Sequence, residues 1–146
     1  MRSAYRLRQV VNALNFSTLS GLVLAKFLGA QLRRGPDGLV LATSGRRQLP
    51  YIGAITIGNV IVLPGAGPWS AELMAHETRH AGQWAACVIV FLPLYWLACA
   101  WSFARCGDHF SGNWFERDAG LHAGGYLERP PRTLWRGKKL NPPASG

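Results

Sequence analysis

Near its amino terminus the chain carries apolar residues at the spacing of one helical face. These residues lie between positions 5 and 33 and are Leu7, Val10, Val11, Leu14, Leu19, Leu22, Val23 and Phe27. Because side chains three and four positions apart share a face of an α-helix, the pattern predicts one helix that bends near Gly21. The turn-forming sequence RRGPDG, residues 33–38, ends this helix.

Stretches rich in β-branched and aliphatic residues follow the first helix. GLVLATS, residues 38–44, predicts a short strand, and the basic sequence GRRQLP at 45–50 predicts a loop. AITIGNVIVLPG, residues 54–65, is the clearer strand, and Gly58 with Asn59 marks a bulge or a tight hairpin turn inside it. The sequence therefore predicts a small β-sheet after the first helix.

Two further helices are predicted from residues typical of helix starts. Ser70 is a plausible N-cap, and Glu72 lies in the first turn, where the helix dipole favours negative charge. The second helix starts at Asn113 in the sequence NWFERDAGLHAGGYL and is predicted to end at Gly124 and Gly125. With the strands, these helices place the chain in the α+β class.

The stretch between these two helices is apolar enough to cross a membrane. Residues 84–103 carry no formal charge, and twenty residues at 1.5 Å each span about 30 Å, the thickness of a bilayer core. Trp84 and Trp101 near its ends resemble interfacial anchors. Pro93 allows a bend, in which case the stretch forms two short, fully buried helices or a wedge in a bilayer interface.

The net charge of the 146-residue chain indicates which kinds of partner it favours. Sixteen Lys and Arg residues against seven Asp and Glu give a net charge of +9, which favours anionic surfaces. No nucleic-acid-binding motif accompanies the scattered basic residues, so we expect peripheral contact with anionic membrane and no specific nucleic acid. Residues 1–126 are predicted to form one domain, and the basic, Pro-rich segment 127–146 is predicted to be disordered.

The sequence HETRH, residues 76–80, has the spacing of a zinc-binding helix. His76 and His80 lie one turn apart on one face, so both imidazoles can reach a single ion at about 2.1 Å. Glu77 lies at the edge of the same cleft, where it can accept a proton from metal-bound water instead of binding the metal. The pentapeptide needs a third ligand to form a catalytic zinc site.

Two downstream residues are candidates for that ligand. The metzincin pattern, a histidine six residues after His80, is absent because that position is Ala86. The gluzincin pattern is a glutamate on a later helix, and Glu116 is the candidate, although a solvated glutamate beside Arg117 is its ordinary alternative. His109, in a Gly-flanked loop, is the second candidate.

The metal site and a single membrane crossing exclude each other. If residues 84–103 crossed a membrane once, His76 and His80 would face one compartment and Glu116 the other. The site therefore requires this stretch to return to the side that it left, and we expect a soluble or peripherally attached domain.

Three blocks of the chain occur in the order found in a family of small domains. They are similar to A-x-T-x-G-x-x-I, to H-E-x-x-H-x-x-Q and to N-x-F-E-x-x-A. The matching residues are Ala54, Thr56, Gly58 and Ile61; His76, Glu77, His80 and Gln83; and Asn113, Phe115, Glu116 and Ala119. Residues 54–120 thus resemble an uncharacterised family of small, gluzincin-like HExxH metallopeptidase domains, some of which occur with bacterial contractile injection systems.

The resemblance implies a minimal gluzincin-like fold and zinc-dependent hydrolysis of a peptide or protein substrate. His76, His80 and Glu116 are expected to hold Zn²⁺, with Glu77 as the general base toward a metal-activated water. One departure is Gly120, because larger gluzincins carry at that position an aspartate that orients a zinc histidine.

Further candidates surround this site. His122 and Tyr126 are candidate transition-state donors. The strand at Ile55, Thr56 and Ile57 is a candidate edge to which an extended peptide substrate could add.

Two alternatives to an enzyme stay open from the sequence. One is a small basic membrane-anchored or interaction protein, in which HETRH is a polar helical turn and residues 84–103 are a membrane segment that spans once. The other is a structural zinc module without turnover. For the enzyme we expect a cytoplasmic location with peripheral membrane association.

Overall fold

The computed structural model describes residues 2–44, 53–65 and 67–132, and in these ranges the chain is α+β. The helices are α1 (Arg2–Leu14), α2 (Ser17–Phe27), α3 (Ala71–Cys87), α4 (Phe91–Cys106) and α5 (Trp114–Ala119). The strands are β1 (Gln31–Arg34), β2 (Val40–Ser44), β3 (Ile55–Ile57) and β4 (Val60–Pro64). Short 3₁₀ turns occupy Pro36–Gly38 and Val88–Val90. The basic loop predicted at 45–50 lies outside the described residues.

The amino-terminal segment forms two helices and a strand, so the prediction of one helix over residues 5–33 is wrong. α1 and α2 meet at 73°. The break lies at Phe16, whose φ of 61° is left-handed, and not at Gly21. Asn15 stabilises the break because its Oδ1 accepts hydrogen bonds from the Ser17 backbone N–H (2.9 Å) and hydroxyl (2.6 Å). Such local bonds compete with the helical ladder, and the periodicity of apolar residues does not reveal them.

The four strands form one mixed sheet in the order β1-β2-β4-β3. β2 pairs with β1 in antiparallel and with β4 in parallel orientation, and β3 pairs with β4 in antiparallel orientation. The strands predicted at 38–44 and 54–65 are confirmed, and the turn at Gly58 and Asn59 is a hairpin. Gly58 has a φ of 61°, and a Cβ there would lie 2.4 Å from the Thr18 nitrogen. This position therefore requires glycine.

Strand β4 is buried on both faces, and it anchors a helix on each of them. Val60 and Val62 pack against α2, while Ile61 and Leu63 pack against Ala81 of α3. The sheet thus lies between two helical layers. This packing fixes the position of α3, the helix that carries HETRH, on the sheet.

The apolar stretch 84–103 doubles back and does not continue as one straight helix. The ring centroids of His80 on α3 and Tyr95 on α4 are 6.4 Å apart, whereas fifteen residues of continuous helix would rise about 22 Å. The break lies at Val88, with φ 53° and ψ −134°, so the prediction of a bend at Pro93 is wrong. Pro93 lies in the first turn of α4, where no helical partner is lost through its missing N–H.

Helix α4 is largely exposed. Leu92, Trp96 and Leu97 have exposed fractions of 46%, 68% and 67%, so the prediction of two short, fully buried helices is wrong. The alternative, a wedge in a bilayer interface, stays a prediction. By length and composition alone, Ala71–Cys106 qualifies as a candidate membrane span, and α1 with α2 qualifies as a bent pair.

The predicted starts of α3 and α5 are confirmed by their N-caps. The Ser70 hydroxyl accepts a hydrogen bond from the Leu73 N–H at 3.1 Å, and the Asn113 side chain accepts one from the Phe115 N–H at 2.9 Å. The predicted end of α5 is wrong, because that helix stops at Gly120, where φ is 93°.

The carboxy-terminal segment is described as far as residue 132. Residues 127–132 form neither helix nor strand, but Arg129 N–H donates to the Ser111 hydroxyl at 2.8 Å and Arg132 N–H to the Arg105 carbonyl at 2.6 Å. Residues 133–146, which hold most of the segment predicted to be disordered, lie outside the described residues.

Candidate metal site

Helices α3 and α5 bring His76, His80 and Glu116 together in the interior. The Glu116 Oε2 lies 3.4 Å from His76 Nε2 and 3.6 Å from His80 Nε2, and the two Nε2 atoms are 3.0 Å apart. A tetrahedral zinc with ligands at about 2.0–2.1 Å separates its donor atoms by about 3.3 Å. The three observed distances fit one such ion. All three residues are buried, with exposed fractions of 2%, 8% and 1% in the order given.

One ligand atom of this cluster lacks an ordinary hydrogen-bond partner. Glu116 Oε2 is buried without a donor in hydrogen-bonding geometry, while Oε1 accepts a hydrogen bond of 2.5 Å from the Tyr95 hydroxyl. A buried carboxylate oxygen without a donor costs free energy. A cation between Oε2 and the two imidazoles would remove that cost, so the residues present fit a bound metal.

His76 is oriented by a backbone carbonyl. Its Nδ1 lies 3.0 Å from the Gly120 carbonyl oxygen, and because a carbonyl only accepts, the proton is assigned to Nδ1 and the lone pair to Nε2. The group that orients His76 is therefore a main-chain oxygen of a residue that has no side chain. Gly124 lies against the same ring, where a Cβ would approach His76 Nε2 to 2.7 Å.

His80 is oriented by a glutamine whose own amide is fixed. The Gln83 Nε2 donates to the Phe115 carbonyl at 2.9 Å and to Asp118 Oδ2 at 2.8 Å, which turns its Oε1 toward His80 Nδ1 at 2.8 Å. The His80 proton is therefore assigned to Nδ1, and Nε2 faces the site. Outer partners of this kind are typical of metal-binding histidines. Asp118, in turn, pairs with Arg79 through two contacts of 2.7 Å.

The charges of the cluster favour a cation at neutral pH. Burial opposes ionisation of Glu116, but the facing imidazoles of His76 and His80 and the Tyr95 hydroxyl outweigh it and lower the pKa of Glu116 to about 2. Burial also opposes protonation of His76, yet the neighbouring carboxylates raise its pKa above the usual range. Glu116 is therefore ionised at neutral pH, and a metal ion bound to the two Nε2 atoms would take the place of the proton that the raised pKa of His76 favours there.

Glu77 lies next to the cluster without belonging to it. Among the described residues, His76, His80 and Glu116 are the only three His, Cys, Asp or Glu side chains whose ligand atoms all lie within 4.8 Å of one another. The Thr56 hydroxyl donates to Glu77 Oε2 at 2.6 Å. Burial raises the pKa of Glu77, and the bond from Thr56 and the nearby histidines offset part of that rise. A raised pKa makes a carboxylate a better proton acceptor.

Tyr95 is a further residue of the site that no motif in the sequence indicates. It lies on α4, and its hydroxyl holds the carboxylate of Glu116 from the side opposite the histidines. The one indication in the sequence is chemical: a tyrosine inside an uncharged stretch needs a partner for its hydroxyl when it is buried. Which partner it finds depends on the chain doubling back at Val88.

The Tyr95→Phe variant is expected to bind zinc about 10- to 100-fold more weakly, because partners that orient a ligand contribute this much to metal affinity. Removing the hydroxyl leaves Glu116 Oε1 without its donor and lets the carboxylate rotate. A competition titration with a chromogenic zinc chelator measures the change. Tyr5→Phe on α1 is the matched control and should bind zinc like the wild type. If both variants bound zinc with the affinity of the wild type, Tyr95 would make no contribution to the metal site.

The two predicted transition-state donors differ in position. The Tyr126 ring lies 6.2 Å from the His76 ring and stacks on Phe110 at 4.1 Å. His122 is exposed; its Nδ1 lies 3.3 Å from the Tyr126 carbonyl and its Nε2 3.9 Å from Glu128. The structure thus brings Tyr126 beside the candidate ligand His76 and leaves His122 on the surface.

The second candidate ligand, His109, is not brought to the cluster. It is exposed and stacks on Phe103 with ring centroids 5.1 Å apart. Its position in the loop after α4 places it beside an aromatic side chain on the surface, and its imidazole is not part of the ligand group.

The candidate substrate strand, with Ile55, Thr56 and Ile57, lies at one edge of the sheet that the described strands form, as pairing with a peptide requires. The Thr56 hydroxyl points to Glu77, which places the strand beside the cluster. The Thr56 carbonyl accepts a hydrogen bond of 2.9 Å from the Trp84 indole. Addition of a peptide to this edge stays a prediction. Because the Thr56 carbonyl already accepts from Trp84, an added peptide would find fewer free main-chain groups on this strand.

The arrangement of two imidazoles and one carboxylate is a donor set of hydrolytic zinc sites. Two of these side chains lie on α3 and one on α5. The tyrosine that holds the carboxylate lies on a third element, α4. No protein-family model matches the chain, and no curated protein or solved structure matches it either.

Proposed function

We propose that the protein is a zinc-dependent metallopeptidase with a minimal gluzincin-like site. The observation that carries the proposal is the convergence of His76 Nε2, His80 Nε2 and Glu116 Oε2 on one point. Structural zinc sites use four protein ligands, whereas catalytic sites use three and leave a position for water or substrate. Among the described residues the ligand group has three members, which favours an enzyme over a structural module.

The roles of the ligands and the general base follow from their contacts. His76, His80 and Glu116 would hold the zinc, which when bound supplies a Lewis acid that activates water and polarises the scissile carbonyl. Glu77 Oε2 is held by Thr56, so Oε1 is the oxygen that accepts the proton of the attacking water. The protonated Glu77 then delivers this proton to the leaving amine, so the carboxylate is regenerated in each turnover.

Tyr126 is the better placed of the two candidate donors to the tetrahedral oxyanion. It lies beside His76, and burial raises the pKa of its hydroxyl, which keeps the proton available for donation at neutral pH. His122 is exposed and paired toward Glu128, so we assign it no role in the reaction.

The position of α4 supports the enzyme over a protein that crosses a membrane once through residues 84–103. A single crossing would separate His80 from Glu116. Both residues instead lie near Tyr95, which is in the middle of that stretch. This arrangement supports a domain in which the stretch returns to the side that it left.

Removing the metal is expected to abolish peptide cleavage, and returning zinc is expected to restore it. The test uses the purified full chain and a library of quenched fluorescent peptides, with activity measured before chelation, after chelation and after adding equimolar zinc. Magnesium should not restore activity, because imidazole donors suit zinc and oxygen donors suit magnesium. Cleavage that survives chelation would contradict the proposal. Bound zinc without any cleavage would indicate the structural module.

A further inference from the structure

Helix α4 is more apolar on its outside than on the face that it packs against the protein. Its outward face, together with the 3₁₀ turn before it, consists of Ile89, Val90, Leu92, Leu94, Trp96, Leu97, Trp101 and Phe103. These side chains have exposed fractions between 42% and 80%. Residues 88–104 contain no charged side chain. A helix that faces water on one side normally carries its charged and polar residues there.

The inward face of α4 carries the polar atoms instead. Phe91, Tyr95, Cys99, Ser102 and Cys106 recur at helical spacing on this face. The Tyr95 hydroxyl donates to Glu116, the Ser102 hydroxyl accepts from the Gly112 N–H at 2.8 Å, and the Cys99 sulfur accepts from Asn113 at 3.3 Å. This inversion of the usual pattern is typical of a helix whose outer surroundings are apolar.

We propose that the outward face of α4 inserts into the interface of an anionic lipid bilayer. Trp96 and Trp101 are 68% and 60% exposed, and tryptophan is enriched at the level of lipid headgroups. Arg105, at the end of α4, lies over the Trp101 ring at 5.9 Å, where its guanidinium can reach phosphate while its stem stays with the apolar face. The outward face therefore combines an apolar surface with an interfacial anchor and a cation.

Net charge favours a bilayer over a second copy of the chain as the partner of this face. The protein carries +9, so two copies repel each other, whereas an anionic lipid surface attracts each of them. Further apolar side chains are exposed on α1 and α2, at Leu7, Val10, Leu14, Leu19, Val23 and Phe27. A deformable lipid surface can cover apolar residues on several helices without matching their shape.

Docking through α4 would place the candidate metal site close to the lipid. The inward face of this helix holds Glu116 through Tyr95, and a helix with its side chains is about 10 Å across. Peptide segments at the membrane surface would then be the substrates nearest to the site. This consequence rests on the proposed peptidase function, whereas the docking itself does not.

The test is flotation of the full chain with vesicles made of equal parts phosphatidylcholine and phosphatidylglycerol, compared with phosphatidylcholine alone. The wild type should float with the anionic vesicles and bind the neutral ones more weakly. Leu97→Glu and Trp96→Glu should each reduce partitioning about ten-fold or more, because each removes a large apolar side chain from the lipid contact. Leu32→Glu on β1, a side chain 51% exposed, is the matched control and should bind like the wild type.

Two outcomes would overturn the proposal. Unchanged partitioning of Leu97→Glu and Trp96→Glu would show that basic residues elsewhere carry the binding. A wild type that ignores vesicles but forms a dimer, which Leu97→Glu dissociates in light scattering, would make a second copy the partner. Far-ultraviolet circular dichroism shows whether each variant is folded. Because flotation is measured without metal, its result is independent of zinc binding and peptide cleavage.

Discussion

The Glu77→Gln variant is expected to lose about 10²- to 10⁴-fold in kcat/KM while it binds zinc as tightly as the wild type. The amide has the shape of the carboxylate and can still accept the hydrogen bond from Thr56, so the side chain stays in place. The amide cannot accept a proton from the attacking water, and residue 77 is not among the three candidate ligands, so zinc affinity should not change. Peptide hydrolysis and a zinc titration on the same preparation measure both quantities.

Glu72→Gln is the matched control for this prediction. Glu72 lies in the first turn of the same helix and is exposed, so the same chemical change there should leave kcat/KM within a small factor of the wild type. Loss of zinc in Glu77→Gln would indicate that Glu77 is a ligand. Unchanged peptide cleavage would indicate that Glu77 takes no part in the reaction. Either result contradicts the assigned role.

Local rules were enough to predict much of the fold. The N-cap at Ser70, the N-cap at Asn113 and the hairpin at Gly58 and Asn59 each depend on residues within four positions of one another, and all three are confirmed. The two candidate histidine ligands could also be predicted from the sequence, because the spacing of His76 and His80 places them one helical turn apart.

The features that the sequence did not predict depend on contacts between distant segments or on competing local bonds. Asn15 and Ser17 break the first helix through hydrogen bonds that apolar periodicity does not register. Tyr95 meets Glu116 only because the chain doubles back at Val88. Apolar periodicity indicates which residues can be buried, but not which hydroxyl will find which carboxylate.

Gly120 shows how a site can depart from a sequence pattern and keep its geometry. The resemblance of residues 54–120 to gluzincin-like domains predicts an orienting aspartate at this position, where the chain has glycine; the carbonyl of that glycine contacts His76 Nδ1. Gly120 ends α5 with a left-handed φ of 93°, and its carbonyl oxygen faces the His76 ring. Sequence comparison by residue type does not detect main-chain acceptors, so this contact appears only in the structure.

The Glu116→Gln variant is expected to bind zinc more than about 100-fold more weakly than the wild type. This loss exceeds the one expected for Tyr95→Phe, which removes only a residue that orients the ligand. The amide oxygen is a neutral and weaker donor, and the change removes the negative charge that faces the two imidazoles. If the single amide oxygen accepts the hydrogen bond from Tyr95, the NH2 group faces the imidazoles and cannot bind zinc; the Tyr95 contact is then kept, so the fold should persist, as circular dichroism can verify. Glu128→Gln, an exposed glutamate paired with Arg117, is the matched control and should bind zinc normally.

The measurement that tests the three-ligand site most directly is zinc content by mass spectrometry after dialysis against metal-free buffer. The wild type and Glu116→Gln are compared in the same experiment. The expected result is about one zinc per wild-type chain and almost none in the variant. Equal zinc in both proteins would place the metal on other residues, and no zinc in either would reduce HETRH to a polar turn of α3.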